Sequence, residues 1–237
     1  MQTATNRASL LKQLDGIQQR IQEWSDQWFE TDDARWFFAH AQAYILRQII
    51  ANIRTFPEAE RDVLLRVSIH FGKSFLEAIL KEESKPFWRD VLEEVGPPPI
   101  WSSDQWERAF AACKLVRRAE DGRMRMPTPP IRADVEACGA LMANVHITKD
   151  LPAALRSESV RISPQSYSNL VIFVEAGAES AIRKLRWWGM EQLELTIKRR
   201  FVPRLEKMWR NQVYRDLYEQ DVPPEDPKFT EQVQWVP

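Results

Sequence analysis

An all-α fold is what this sequence predicts, a single bundle-like domain of seven to nine helices over residues 1–220 followed by an extended, acidic, proline-rich tail over 221–237. Three observations carry that expectation. Glycine, which hairpins and phosphate loops need for positive φ, occurs only seven times against fifteen prolines. Apolar residues recur four and three apart through most of the chain. No run alternates with period two for long enough to build a sheet.

Leu10, Leu14, Ile17, Ile21, Trp24 and Trp28 form one narrow seam, as in a coiled coil or antiparallel bundle. Asp32 and Asp33 cap a second helix from Ala34 to about Arg54. Its apolar residues, from Trp36 to Ile53, cover most of the circumference, which marks a central helix. Thr55 with Glu58 reads as a capping box, and Pro57 suits a first turn, so a third helix starts there and carries Val63, Val67, Phe71, Phe75 and Ile79. Ser84 and Pro86 repeat that grammar for a short helix ending at Gly96, where GPPPI stops it because each proline removes a donor. Ser102 or Ser103 caps the next helix, with Trp106, Phe110, Cys113 and Val116 on one side. Residues 96–103 and 121–130 are the two candidate subdomain hinges. Helical period returns over 131–147. Ser163 and Pro164 then open the longest seam, Tyr167, Val171, Val174, Ala178, Ala181, Leu185 and Trp188. LVIFV inside it has strand composition, but the seven-residue repeat continues on both sides and assigns it to the helix. Gly189 and Pro203 should kink or segment the helical pattern that continues to about Glu219. The two seams are expected to pack on each other within the chain, although an oligomer could use one of them.

With 28% charged residues and a formal net charge of -1, the composition is that of an ordinary globular protein, and any electrostatic argument must be local. Polar residues interrupt every apolar region, so no transmembrane segment is expected. Cys113 and Cys138 have no metal-binding spacing and read as reduced structural residues, which favours an intracellular, cytoplasmic setting. The first residues lack the apolar core of a secretory signal.

Catalytic signatures are largely missing. GKS at 72–74 lacks the glycine a phosphate loop needs five residues earlier, where Val67 stands, and it lies inside a helix. His40, His70 and His146 are out of helical reach of one another, so no metal is expected. One enzymatic alternative remains, a small all-α magnesium-dependent enzyme of terpene synthase type acting on an isoprenyl diphosphate in an aromatic-lined cavity. Its acids would be Glu58, Asp62, Asp90 and Glu94. TDDARW begins like an aspartate-rich box, but its last position is Trp36, and Asp32 and Asp33 serve better as a cap. With magnesium assigned only to that alternative, the main reading requires no cofactor.

Charge is segregated along the chain. Residues 1–110 carry 13 basic and 17 acidic groups, residues 111–215 carry 19 and 11, and residues 216–237 carry 1 and 6. If the helix restarts near Pro203, Phe201, Leu205, Met208, Trp209 and Val213 share an inward arc, while Arg199, Arg200, Arg204, Lys207, Arg210 and Arg215 share an outward one. Trp101, Trp187 and Trp235 fall off every seam, and such tryptophans are enriched at interfaces. The expectation is a non-enzymatic interaction or scaffold subunit of a larger assembly. It would contact an anionic partner, nucleic acid or an acidic protein surface, through the basic helix, with the tail as a docking arm.

Overall fold

The computed structural model describes residues 2–31, 33–83, 138–140, 142–185 and 192–237. All regular structure among them is helical, as expected: α1 (Gln2–Glu30), α2 (Trp36–Asn52), α3 (Arg61–Glu83), α4 (Leu151–Ser157), α5 (Pro164–Lys184), α6 (Gln192–Tyr218) and α7 (Pro227–Gln232). None of these helices is long and apolar enough to cross a membrane. Both candidate hinges lie outside the described residues.

Helix α2 is central because apolar residues cover most of its circumference: Trp36, Phe37, Phe38, Ile45, Leu46 and Ile49 are all buried, and only the side of His40, Tyr44, Arg47 and Ala51 is partly open. It packs against α1 on one side and α5 on another. The α1 seam (Leu14, Ile17, Ile21, Trp28) and the α5 seam (Tyr167, Val171, Val174, Ala178, Ala181) are both buried, but each packs on α2 rather than on the other. That corrects the expected seam-to-seam pairing: a helix apolar over most of its circumference offers each narrow stripe a separate face to pack on. Two of the glycines permit close approach, Gly72 where α3 meets α1 and Gly177 where α5 meets α2. A Cβ on Gly72 would lie 2.9 Å from Ile17 Cγ2, and one on Gly177 would lie 2.8 Å from the Ala41 carbonyl oxygen. GKS thus lies mid-helix for a packing reason. LVIFV is helical, as the repeat required.

Local signals match the helix ends in some places and not in others. Ser163 Oγ accepts from Ser166 N at 3.3 Å and caps α5, with Pro164 in its first turn. The Thr55–Glu58 box does not form: Thr55 Oγ1 donates to the Asn52 carbonyl at 2.7 Å, two short 3₁₀ turns intervene, and α3 starts at Arg61. Asp33 accepts from Arg35 N and Nε, and the Arg35 guanidinium stacks 4.2 Å from the Trp28 ring, so this acid locks the α1–α2 corner. Helix α6 runs unbroken through Pro203, where segmentation was expected.

The tail departs furthest from expectation. Residues 219–226 and 233–237 have no regular structure, but Pro227–Gln232 is helical, and Phe229 and Val233 are buried on the body. It is a packed segment and not an extended arm. Cys138 is disulfide-bonded, which overturns the reading of reduced cysteines and removes the ground for a cytoplasmic assignment.

The described core is filled. The cavity among Leu46, Val67, Phe71, Leu155, Tyr167 and Arg210 encloses about 30 Å³, room for about one water. Nearby a π-helical turn, His146–Asp150, places His146 Nδ1 2.7 Å from Asp150 Oδ2, with the imidazole stacked on Phe71 at 3.5 Å. Burial depresses this histidine against the opposing pull of Asp150.

Candidate functional site

Helix α6 presents the basic residues in four different situations. Arg204 is exposed. Lys207 Nζ forms an ion pair with Glu225 of the tail. Arg215 Nε lies 3.0 Å from Asp221 Oδ1, also of the tail. Arg210 is not on the outward side at all: it is 6% exposed, its guanidinium lies 5.4 Å from the Tyr167 ring, and its carbonyl accepts from Tyr167 Oη at 2.9 Å. Met208, expected to face the body, is 57% exposed instead. The side chains of Arg199 and Arg200 lie outside the described residues, as do Trp101 and Trp187.

The inward turn of Arg210 comes from the company it keeps. Tyr214, one turn on, is fully buried and donates through Oη to the Ile162 carbonyl at 2.6 Å, and burial pushes its phenol up to about 12. One turn back, burial pushes the Glu206 carboxyl up to about 8, with Glu175 of α5 adding to the effect and Arg210 opposing it. Glu175 is itself raised by burial, against the pull of Lys207. Glu206 is therefore protonated at neutral pH.

This half-buried acid makes stability depend on pH. An acid whose folded pKa lies above its unfolded value of 4.5 stabilises the fold only while protonated, so stability falls as pH rises from about 4.5 to about 8. Glu206→Gln should flatten that fall and leave the variant about 2 kcal/mol more stable than the parent at pH 8, relative to their difference at pH 4.5. Urea melts at the two pH values read it directly, and parallel pH profiles for both proteins would defeat the assignment.

From Glu219 the tail crosses the N-terminal half of α5. Ser168 Oγ donates to the Pro223 carbonyl at 2.6 Å, and Asp226 N donates to Asn169 Oδ1 at 3.1 Å. Asp226 caps α7, Pro227 opens it, and Phe229 then enters an aromatic recess with ring centroids 4.8 Å from Phe56 and 6.2 Å from Phe173. Beyond it two amides of α2 read the backbone in both directions. Asn52 Nδ2 donates to the Gln234 carbonyl at 3.0 Å while Gln234 N donates to Asn52 Oδ1 at 2.7 Å. Gln48 Nε2 donates to the Val236 carbonyl at 2.6 Å while Val236 N donates to Gln48 Oε1 at 3.2 Å. Arg47 Nη1 donates to Pro237 O.

Where the tail ends, a cleft of about 490 Å³ opens among Tyr44, Glu179, Ser180, Arg183, Trp235 and Pro237. Trp235, half exposed, forms its rim and meets Phe173 edge-on at 6.2 Å. His40 Nε2 lies 3.0 Å from Ser180 Oγ. Burial, helped by Lys184, brings this imidazole down to about 4, so it is neutral and a weak base. Its Nδ1 has no hydrogen-bond partner among the described residues.

No family model, curated protein or solved structure matches this chain. Of the acids weighed for a magnesium site, Glu58 accepts from Arg7 Nη1 at 2.5 Å and also pairs with Arg61, and Asp62 accepts from Arg7 Nε at 2.5 Å. They tie α1 to the start of α3. Asp90 and Glu94 lie outside the described residues. No three His, Cys, Asp or Glu side chains converge among the described residues.

The residues that hold the tail, Arg47, Gln48, Asn52 and Phe229, were absent from the sequence-derived site. One signal for the two amides existed: Gln48 and Asn52 lie four apart on a predominantly apolar helix, and buried amides require partners.

Proposed function

We propose that the protein is a non-enzymatic α-helical interaction subunit of a larger assembly, that it docks an anionic partner on the basic side of α6, and that its own acidic tail occupies that side in the partner's absence. The observation that carries this reading is the pairing of Lys207 with Glu225 and of Arg215 with Asp221. A tail with four acids and one base over residues 221–237 lies on the most basic of the described helices through pairs that remain partly open to solvent. Partly exposed pairs of that kind are individually weak, so a competing anion can replace them.

An acidic protein segment suits the surface better than nucleic acid. Arg204, Met208 and Arg215 share the exposed face of α6, a cationic stripe with an apolar centre. No exposed aromatic ring stands on that face among the described residues to stack a base, since Trp209 packs against the core.

Binding of polyglutamate and of single-stranded polynucleotide, each measured against salt, tests the reading. The parent should bind weakly, Asp221→Lys with Glu225→Lys should bind about tenfold more tightly, and polyglutamate should be preferred. Polynucleotide preference would move the assignment to nucleic acid. Unchanged affinity after Arg204, Lys207 and Arg215 are all replaced by Glu would end it.

A further inference from the structure

The tail does more than neutralise α6. Its last residues are held in the manner of a bound peptide. Gln48 and Asn52 lie four apart on α2, a rise of about 6 Å, and Gln234 and Val236 lie two apart on an extended segment, a rise of about 6.6 Å. The two spacings match, so each side-chain amide meets one backbone N–H and one C=O, four bonds of 2.6 to 3.2 Å that address main chain and not side chain. An aromatic recess between Phe56 and Phe173 takes one anchor, Phe229. A ladder for backbone with a pocket for one side chain is how an extended peptide is recognised.

The connection into this seat is under strain. Glu219, the residue that turns the chain out of α6, has φ 53°, the chain's one non-glycine residue of positive φ among those described. Such a conformation in a non-glycine residue costs about 1 kcal/mol or more. Pro223, Pro224 and Pro227 stiffen the connector beyond it. If the tail continues outward from α6 and enters the seat of another molecule, every contact to Gln48, Asn52, Phe56 and Phe173 is preserved and the strain at Glu219 is released. Stiff, strained hinges favour this exchange.

We propose that the seat formed by Gln48, Asn52, Phe56 and Phe173 is a binding site for an extended peptide, and that the partner it takes in trans is the tail of a second copy of this chain. The proposal stands on the course of the tail and is independent of the anionic partner.

Complementation between two full-length variants tests it. Gln48→Ala with Asn52→Ala keeps the tail and loses the ladder; Phe229→Ala keeps the seat and loosens the tail, lowering the effective concentration with which it competes in cis. Mixed in 0.5 M salt, where anion contacts on α6 are screened, the two should form a mixed dimer by light scattering at concentrations at least tenfold below those at which either self-associates. A mixture that stays monomeric, with both variants retaining the parent's helical circular dichroism, overturns the proposal. Should the double alanine variant fail to fold, a fluorescent peptide of residues 225–237 is titrated into full-length Phe229→Ala. Saturable binding, at least tenfold tighter than to the parent, supports the seat, and its absence overturns it. Failure of polyglutamate binding with successful exchange would defeat only the anionic reading, and the reverse would defeat only this one.

Discussion

Gly177→Val lowers the unfolding free energy by about 3 kcal/mol, because α5 and α2 meet here at backbone distance. A Cβ at this position lies 2.6 Å from Ile45 Cγ1 and 2.8 Å from the Ala41 carbonyl oxygen. The first contact is with a side chain that can change rotamer, but the second is with main chain in the centre of α2, which cannot yield without moving the helix. Both seams of the bundle bear on α2, so displacing it disturbs the α1 contact as well. Urea unfolding monitored by circular dichroism gives the number. Gly16, where an added Cβ meets nothing within 4 Å, is the control: Gly16→Ala should raise stability by up to about 1 kcal/mol through helix propensity. Equal effects at the two sites would show that propensity, and not the interhelical contact, governs Gly177.

Phe229→Ala releases the tail at a cost of about 3 kcal/mol, the loss expected when a large buried aromatic is truncated. Phe229 is 5% exposed and touches Phe56 and Phe173, so its removal unpins the segment between the α5 contacts and the α2 amides. Gln234 N and Val236 N then lose their acceptors on Asn52 and Gln48, and their hydrogen exchange should accelerate by at least tenfold. Trypsin should cut after Lys228 much faster than in the parent. The comparison that separates anchoring by apolar contact from anchoring by charge is Glu225→Gln, which removes the partner of Lys207 alone. A partly exposed pair contributes about 1 kcal/mol at most, so this variant should keep slow exchange at residues 234 and 236. If Glu225→Gln frees the tail as completely as Phe229→Ala does, electrostatics and not the aromatic recess holds it.

How far the sequence could be read differs between these two regions. The α1 and α5 seams and the all-round apolarity of α2 were legible because helical period is a local property: residues three and four apart fall on one side whatever the rest of the chain does. The same local information placed Ser163 as a cap. It failed at Thr55, where the hydroxyl turns back to the Asn52 carbonyl, and at Pro203, which was given the power to break a helix that runs straight through it. It failed also at Met208 and Arg210, whose burial is the reverse of the helical wheel's assignment. Arg210 can turn inward because Tyr167 offers a ring beneath its guanidinium, and that ring is supplied by α5, more than forty residues away.

By itself, then, the sequence determined the helical class, the central place of α2, and the separation of a basic stretch from an acidic tail. Each of these depends on spacing and composition within a window of a few turns. Only the tertiary structure decided what the charges and amides meet. An outward arginine fits water, a partner or a distant part of the same chain equally well on a helical wheel, since hydrogen bonds and ion pairs carry no periodic signal along the sequence. Lys207 and Arg215 meet the tail, and Gln48 and Asn52 take its backbone, because folding brings residues 221–237 across α5 onto α2, and burying an amide costs least where both its donor and its acceptor are satisfied.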